Sequence, residues 1–304
     1  MKVFVSQPLP EPSTTEILAG FEVLVGRPGA WDGEAPVHLP DSVAVIPTPR
    51  EKVTEALLSL APLLKVVANC AVGTDNVDLD ACRRLGVVVT NTPGVLTEAT
   101  ADLTWLLILA VARRFLEGDA LIRSGSWDGW KPLELMGTSL DGKTLGVYGM
   151  GRIGKAVARR AEACGMRVLS TGEGDPPDAF ERVLAGSDVL TIHTPLTPAT
   201  RGRFGVAELA RMKKGAFLVN TARGPVADEA ALAAALASGH LGGAGLDVFE
   251  KEPAVNPGLL DLPNVVLLPH LGSATVESRL AMARTACGEA ARVLRGEEPL
   301  HRVV

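Results

Sequence analysis

Short runs of β-branched and aliphatic residues alternate with stretches of helical periodicity along most of the chain. In the first 95 residues, strands are predicted at Lys2–Ser6, Glu22–Val25, Val43–Ile46, Lys65–Asn69 and Val87–Thr90. Between them, helices are predicted at Thr14–Ala19, Lys52–Leu60 and Leu79–Leu85. This alternation indicates βαβ units and a mostly parallel sheet.

A second alternating region follows a turn signal at residues 91–94. It opens with a helix predicted over Thr97–Leu116, whose apolar centre is expected to be buried or shared between domains or subunits. Strands are predicted at Leu145–Tyr148, Arg167–Thr171, Val189–Thr194, Ala216–Asn220, Ala244–Val248 and Val265–Leu268. Helices are predicted at Lys155–Cys164, Val206–Arg211 and Glu229–Ser238. Six strands with helices between them predict a nucleotide-binding fold.

The last predicted helix, Val276–Arg295, is too long to belong neatly to the second sheet. We therefore expect it to return to the first domain. The predicted fold class is α/β, with two Rossmann-like or flavodoxin-like parallel-sheet domains. A discontinuous substrate domain would comprise residues 1–95 and 276–304, and a dinucleotide-binding domain residues 96–275. The deep cleft expected between two such domains is the default place for an active site.

Composition narrows the choice of partners. The net charge of −5 argues against nucleic acid or an anionic membrane as the main partner. The longest apolar run, Trp105 to Ala112, is too short to cross a bilayer. The first residues resemble a strand followed by prolines, so no signal peptide is expected. Four scattered cysteines without metal-ligand spacing suggest reduced thiols in a cytoplasmic enzyme and no metal site.

The segment Gly149-Met-Gly151-Arg-Ile-Gly154 carries the strongest chemical signal, because a predicted strand precedes it and a helical pattern follows it. Gly149 would allow the tight turn, Gly151 would let the backbone approach a pyrophosphate, and Gly154 would let helix and strand pack closely. The helix would then direct its unpaired N–H groups at the phosphates. A glycine-rich turn in another α/β unit is the alternative.

Polar residues follow three later strands of the predicted nucleotide fold. Arg223 comes after one strand, the acids Asp247, Glu250 and Glu252 end or follow the next, and His270 follows the last. Because the carboxyl ends of parallel strands face the ligand crevice, these groups are expected to converge on one site. Taken singly, each has an ordinary structural explanation, but together they indicate a catalytic site beside a nucleotide.

The chain resembles the D-2-hydroxyacid dehydrogenases over essentially its whole length, and most of all their glyoxylate/hydroxypyruvate reductase branch. The motifs that carry the resemblance are Val72-Gly73-Thr74-Asp75, Trp127-x-x-Trp130-Lys131-Pro132, Gly149–Gly154, His193-x-Pro195-Leu196-Thr197, Val219-Asn220-Thr221-Ala222-Arg223-Gly224 and Pro269-His270-Leu271-Gly272-Ser273-Ala274-Thr275. The resemblance implies an NAD- or NADP-dependent enzyme that acts on a small 2-oxo or 2-hydroxy acid.

Catalytic roles come with this resemblance. His270 would give a proton to the substrate carbonyl oxygen, and Glu252, the glutamate before a proline, would hold the other ring nitrogen. Glu250 is the alternative acid. Arg223 would bind the 2-oxo acid with a planar charged fork. Backbone N–H groups of Val72 and Gly73 would hold the carboxylate, although a plain strand-to-turn glycine explains Gly73 equally well. Ser273 and Trp130 are the other expected substrate contacts.

The resemblance also implies which residues line the cofactor. These are Thr100, Gly149, Gly151, Arg152, Ile153, Gly154, Glu173, His193, Thr194, Pro195, Thr221, Ala222, Asp247, His270 and Gly272. His193 is a possible alternative acid, but no acidic partner lies in a comparable motif. At the position that selects the dinucleotide, Gly172 stands where an aspartate is usual, and Glu173 follows where NADPH-preferring relatives have arginine. The carboxylate of Glu173 would repel a 2′-phosphate, so NAD is favoured.

Residues 117–142 are too many for a simple linker between the long helix and the first nucleotide-fold strand. They contain Trp127 and Trp130, whose indoles need a surface to cover them. In the reductase branch this loop crosses the two-fold axis of a dimer, which implies a homodimer in which Trp130 shapes a neighbour's substrate pocket. Packing against its own chain is the alternative.

Three other activities remain open at this point. A 3-phosphoglycerate dehydrogenase would need basic groups for the phosphate, and Ser273-Ala274-Thr275 is more similar to the reductase branch. A D-lactate-type enzyme would act on larger 2-oxo acids. A dinucleotide-sensing binding protein, like the C-terminal-binding-protein corepressors, would keep the fold without the metabolic role. Reduction of glyoxylate or hydroxypyruvate, to glycolate or D-glycerate, is the function that the motifs favour.

Overall fold

The structure is a computed structural model that describes residues 1–172 and 174–304. The chain divides into two compact units, one formed by Met1–Leu96 with Ala274–Val304 and the other by Thr97–Ser273. Each unit contains one wholly parallel sheet. These two parallel sheets with their helices confirm the predicted α/β class.

The first unit contains a five-stranded sheet in the order β2-β1-β3-β4-β5. Its elements are β1 (Lys2–Val5), α1 (Ser13–Ile17), β2 (Glu22–Val25), α2 (Trp31–His38), β3 (Ser42–Ile46), α3 (Glu55–Ser59), β4 (Val66–Ala68), α4 (Leu79–Leu85) and β5 (Val88–Thr90), joined by the chain's last helix, α12 (Val276–Leu294). Apolar residues of α12 bury one face of the sheet, and Phe4 and Trp31 lie in the core on the other face. Both faces are covered, as a parallel sheet requires.

The second unit contains a six-stranded sheet in the order β11-β10-β9-β8-β6-β7. Its elements are α5 (Thr97–Ala112), α6 (Phe115–Arg123), β6 (Thr144–Tyr148), α7 (Arg152–Ala163), β7 (Arg167–Thr171), α8 (Pro177–Gly186), β8 (Val189–Ile192), α9 (Val206–Arg211), β9 (Phe217–Asn220), α10 (Glu229–Ala237), β10 (Gly243–Leu246), α11 (Pro257–Leu260) and β11 (Val265–Leu267). The apolar side of α5 packs against β9, β10 and α7.

The strand order in each sheet reverses once. In the second unit, β7 lies on one side of β6 and β8 lies on the other, so the loops after β6 and β8 diverge at their carboxyl ends. Ligands of open α/β sheets bind outside such a reversal. The loops that follow β9, β10 and β11 leave from the same edge, because all six strands are parallel.

The predicted single helix over Thr97–Leu116 is wrong. The first helix ends at Ala112, Arg114 has a left-handed φ of 52°, and a new helix begins at Phe115. The chain turns here because the carbonyl of Ala112 accepts the N–H of Thr138 at 2.8 Å, which replaces a helical partner. The expected loop of residues 117–142 is therefore helical as far as Arg123.

Helices α2, α8 and α11 and two 3₁₀ turns, at residues 39–41 and 224–226, were not predicted. In the described ranges, 1–172 and 174–304, no helix is both long enough and apolar enough to cross a membrane.

Candidate active site

The glycine-rich loop after β6 is shaped by backbone contacts that exclude side chains. Gly149 has φ of 104°, and a Cβ there would lie 2.5 Å from the carbonyl oxygen of His193 on the neighbouring strand end. A Cβ at Gly154 would overlap the carbonyl oxygen of Gly149. These two glycines let the loop, the helix and the end of β8 approach one another more closely than any other residue would allow.

The amino end of α7 is open toward the same edge. Gly151 is the N-cap residue, no side chain caps the helix, and a Cβ at Gly151 would meet nothing within 4 Å. The first turn has no acidic residue and contains exposed Arg152 and half-buried Ile153. Unpaired N–H groups and the positive end of the helix dipole favour an anion there. The loop therefore fits the pyrophosphate of a dinucleotide.

His270 and Glu252 form an ion-pair arrangement in the second unit. The Nδ1 atom of His270 lies 2.9 Å from Oε2 of Glu252, and the other oxygen, Oε1, accepts the N–H of Phe249 at 3.1 Å. Burial alone would raise the pKa of Glu252, but the His270 hydrogen bond and charge, the Phe249 N–H and the charge of Arg223 outweigh it and lower that pKa. Glu252 is therefore ionised near neutral pH, and its Oε2 lies where it can accept a hydrogen bond from an N–H at Nδ1 of His270.

The backbone at His270 is held by Asp247. The N–H of His270 donates to the Asp247 carbonyl at 2.9 Å, and the carboxylate oxygens accept the N–H groups of Leu271 at 2.6 Å and Gly272 at 2.8 Å. His270 itself has a left-handed φ of 57°, a costly conformation for a non-glycine residue that these bonds maintain. Asp247 is fully buried, and burial raises its pKa despite these N–H donors.

The side chain of Glu250 bonds to helix α10 instead of to His270. Its Oε1 accepts the N–H of Glu229 at 2.7 Å, and its own N–H donates to Oε1 of Glu229 at 2.5 Å. Glu229 is the first residue of α10, so Glu250 lies at the amino end of that helix, where a carboxylate is favoured. The structure brings Glu252, and not Glu250, to the imidazole of His270.

Arg223 lies three residues beyond the end of β9 in a loop fixed by Asn220. The Asn220 side chain donates to the Arg223 carbonyl at 2.9 Å and accepts the N–H of Ala222 at 3.0 Å. Half-buried Arg223 donates from Nη1 to the Ala222 carbonyl at 2.8 Å, and its charge contributes to the lowered pKa of Glu252. This role of Asn220 was not predicted from the sequence, although a buried amide at a strand end is a recognisable signal.

Three threonines connect α5 to the loop after β9. The Oγ1 atoms of Thr104 and Thr221 lie 2.8 Å apart, and the Thr104 hydroxyl donates to the Thr100 carbonyl at 2.8 Å. Thr221 and Thr100, both predicted to line the cofactor, are thus tied together by Thr104, which the sequence analysis did not single out. All three are buried.

His193 is the first residue after β8 and is half-buried. Its Nε2 lies 2.9 Å from the hydroxyl of buried Thr191, and burial lowers the pKa of His193 well below its ordinary value. His193 is therefore neutral near pH 7 and is a poor proton donor. Thr194 follows half-buried, and the Pro195 carbonyl accepts the Thr200 hydroxyl at 2.7 Å, which fixes the loop.

The remaining predicted residues lie elsewhere. Val72 and Gly73 belong to the first unit, in the loop after β4. Ser273 ends the second unit and is half-buried. Trp130 is 83% exposed in the single chain. Glu173, the predicted determinant of cofactor preference, lies outside the described residues, while Gly172 before it donates its N–H to the Asp175 carboxylate at 2.8 Å.

The second unit contains a dinucleotide loop, and its later strand ends present an imidazole paired with a carboxylate and an arginine. Together these features define a nicotinamide-dependent dehydrogenase. Residues 105–272 match the family model described as D-isomer specific 2-hydroxyacid dehydrogenase, NAD binding domain. The chain belongs to this family, as its sequence motifs predicted.

Relatives agree with this assignment. A glyoxylate reductase of Thermococcus litoralis is 43% identical over 98% of this chain and 95% of its own length. A glyoxylate reductase of Aeropyrum pernix is 49% identical over 80% of this chain and 77% of its own length. The crystal structure of an NADPH-dependent glyoxylate/hydroxypyruvate reductase from Sinorhizobium meliloti, in complex with NADP and malonate, is 34% identical. It covers 100% of this chain and 96% of its own, with a TM-score of 0.88.

Proposed function

We propose that this protein reduces glyoxylate and hydroxypyruvate, to glycolate and D-glycerate, with NADH or NADPH. The observation that carries the proposal is the His270–Glu252 pair at 2.9 Å in the same unit as a glycine loop that fits a dinucleotide. The names of the Thermococcus, Aeropyrum and Sinorhizobium relatives support the substrate class.

A nicotinamide dinucleotide held at the glycine loop would supply the hydride for the carbonyl carbon of the 2-oxo acid. His270 gives the proton on Nε2 to the carbonyl oxygen, so that a hydroxyl group forms and the imidazole becomes neutral. The Glu252 carboxylate favours the charged imidazole before transfer and holds Nδ1 in one orientation throughout. In the direction of oxidation, the neutral imidazole takes the proton back.

Arg223 is the proposed electrostatic partner of the substrate, because its guanidinium keeps its charge and matches a carboxylate in shape. The N–H groups of Val72 and Gly73 hold the other carboxylate oxygen, and Ser273 adds a hydroxyl contact. Residues 1–95 and 276–304 therefore form the substrate domain of the proposal, and residues 96–275 form the dinucleotide domain.

The proposed cofactor contacts comprise the glycine loop with Arg152 and Ile153, the segment 193–195, Thr100, Thr221, Ala222, Asp247 and Gly272. Either NAD or NADP fits the family, and we favour NAD on the charge of Glu173. The Sinorhizobium relative uses NADPH, and the ratio of kcat/KM with NADH to that with NADPH decides between the two cofactors here.

A homodimer is also proposed. In the single chain, Leu106 and Leu109 of α5 are 52% and 40% exposed, and Trp127 and Trp130 are 51% and 83% exposed. Large apolar side chains with this much exposure favour burial against another surface. A two-fold pairing would exchange the Trp130 loops reciprocally, so that each indole narrows the partner's substrate pocket. The four free cysteines support a reducing, cytoplasmic setting.

A panel of four 2-oxo acids, each with NADH and with NADPH, tests the function. We expect the highest kcat/KM with glyoxylate or hydroxypyruvate. Preference for phosphohydroxypyruvate would indicate a 3-phosphoglycerate dehydrogenase, and preference for pyruvate a D-lactate-type enzyme. Nucleotide binding without turnover of any of the four acids would indicate a dinucleotide sensor and contradict the proposal.

A further inference from the structure

The loop after β4 is held by its carbonyl groups. Three consecutive carbonyl oxygens, at residues 71 to 73, each accept a hydrogen bond from a residue just beyond the end of β4 or of its neighbour β5. The bonds are Thr92 N to Ala71 O at 2.8 Å, Asn91 Nδ2 to Val72 O at 2.8 Å and Asn69 Nδ2 to Gly73 O at 2.9 Å. Two of the three donors are side-chain amides, which a substitution can remove.

These bonds fix the directions of the loop's N–H groups. In a planar trans peptide, an N–H points opposite to the carbonyl of the preceding residue. The bond to Ala71 therefore orients the N–H of Val72, and the bond to Val72 orients the N–H of Gly73. The bond to Gly73 holds the next peptide plane. Successive oriented N–H groups form a concave site for an anion.

Asn69 is itself held by a second buried amide. Its Nδ2 lies 3.1 Å from Oδ1 of Asn76, and Nδ2 of Asn76 lies 3.0 Å from Oδ1 of Asn69. Asn76 also donates to the carbonyls of Thr48 at 3.0 Å and Glu51 at 3.1 Å. Asn69 is 0% exposed and Asn76 is 4% exposed, so neither amide can exchange these partners for bulk water.

A buried carboxylate fixes the outer end of this network. Glu51 is 3% exposed, and its Oε2 accepts the Ser6 hydroxyl at 3.0 Å and both the N–H and the hydroxyl of Thr48 at 2.6 Å. Ser6 follows β1 and Thr48 lies just beyond β3, the two strands between which the order of this sheet reverses. The network thus lies at the edge of the sheet where a ligand is expected.

We propose that Asn69 and Asn91 are positioning residues that aim the N–H groups of Val72 and Gly73 at the substrate carboxylate, with Asn76 and Glu51 bracing Asn69. This inference rests on the proposed function, in which those N–H groups bind the carboxylate. A buried hydrogen-bond network whose only role was to stabilise the fold would not need side-chain amides that donate to two successive carbonyls of the same loop. Loss of either amide lets a peptide plane rotate and weakens anion binding.

The test compares Asn69→Ala and Asn91→Ala with wild type in glyoxylate reduction. A lost hydrogen bond of this kind raises the KM for glyoxylate and the inhibition constant of oxamate about tenfold in each variant. The KM for NADH stays within about twofold, since the glycine loop belongs to the other unit, and kcat changes less than KM. Oxamate binding to the NADH-loaded protein, measured by calorimetry, reads the anion site without turnover.

Thr90→Val is the matched control. Thr90 ends β5, and its buried hydroxyl has no hydrogen-bond partner within the described residues. Replacing that hydroxyl with a methyl group alters a buried polar side chain on the same sheet without touching the loop, so oxamate affinity should not change. The melting temperature of every variant is measured in parallel.

Each outcome decides the inference. Weaker oxamate binding in both asparagine variants, with NADH binding preserved, supports it. A lower melting temperature with unchanged oxamate affinity assigns the network to stability alone and overturns it. If Asn69→Ala does not fold, Asn91→Ala decides in the same assay. A wild type that binds oxamate but reduces no 2-oxo acid contradicts the proposed function instead, and a wild type without oxamate affinity contradicts both.

Discussion

Replacing Glu252 with glutamine removes the charge next to His270 while keeping a side chain of the same size. The Nδ1–Oε2 distance is 2.9 Å, so the glutamine oxygen can still accept the hydrogen bond. What is lost is the attraction between the carboxylate and the charged imidazole. Reduction needs the charged imidazole, so the rate falls as pH rises and the proton is lost. Because the charge of His270 lowers the pKa of Glu252, the two charges stabilise each other, and the variant holds the charged imidazole less well.

The size of the change follows from Coulomb's law. Two unit charges about 4 Å apart interact by about 1 kcal/mol in bulk water and about 4 kcal/mol near a protein surface. The side chains of His270 and Glu252 are 34% and 37% exposed, so solvent screening favours the lower part of this range. At about 1.4 kcal/mol for each factor of ten, loss of this attraction should lower kcat/KM for glyoxylate about tenfold on the alkaline side of the profile.

The assay is the pH dependence of kcat/KM for glyoxylate reduction in wild type, Glu252→Gln and Glu250→Gln. Glu250→Gln is the matched control, because Glu250 bonds to the amino end of α10. Its alkaline limb should coincide with that of wild type. The lowered pKa of Glu252 also predicts that its carboxylate stays charged down to pH values below 4.5, so its protonation should not limit the rate between pH 5 and 7. An unchanged profile for Glu252→Gln, or a changed one for Glu250→Gln, would refute this reasoning.

Three further changes probe the cofactor and the oligomer. Gly154→Ala places a Cβ against the Gly149 carbonyl, which should cost about 1–3 kcal/mol of stability and weaken NADH binding. Thermal unfolding measures the loss of stability. Gly151→Ala is the control and should show no such loss, because a Cβ there meets nothing. Glu173→Arg should raise kcat/KM for NADPH relative to NADH, and a wild type that already prefers NADPH would refute the role of Glu173. Trp130→Ala should weaken discrimination between glyoxylate and bulkier 2-oxo acids. If sedimentation shows that the fully active wild type is a monomer, Trp130 cannot act in a partner's substrate pocket.

The strands were the most predictable part of the fold. All eleven appear within two residues of the positions expected, because most are short apolar runs bounded by polar or glycine-containing segments. Helix α8 was not predicted, but its sequence does indicate a helix: Phe180, Val183 and Leu184 have helical spacing, and Pro177 suits a first helical turn. The sequence of helix α2 does not indicate a helix, because Gly33 and Pro36 interrupt the helical pattern of its residues.

The break between α5 and α6 could not be predicted, because it depends on distant residues. The Ala112 carbonyl accepts the N–H of Thr138, which lies far along the chain. Arg114 adopts a left-handed conformation although it is not a glycine, so its residue type does not indicate the turn. Local pattern carries no information about such contacts.

At the site, the residue types and strand ends were predictable from the pattern, and the family resemblance also named Glu252 as the partner of His270. Local pattern alone does not separate Glu252 from Glu250, because the direction of each carboxylate depends on the course of the backbone after β10. The second role of Asp247, as acceptor for two N–H groups of the His270 loop, likewise depends on a turn whose geometry no motif specifies.

The most direct test of the account is glyoxylate reduction by His270→Ala with saturating NADH or NADPH. Removing the proton donor should lower kcat by at least about 10²–10⁴-fold. NADH affinity, measured by fluorescence titration, should stay close to that of wild type. A His270→Ala enzyme that keeps most of its reductase activity would contradict the central claim that this imidazole protonates the substrate carbonyl.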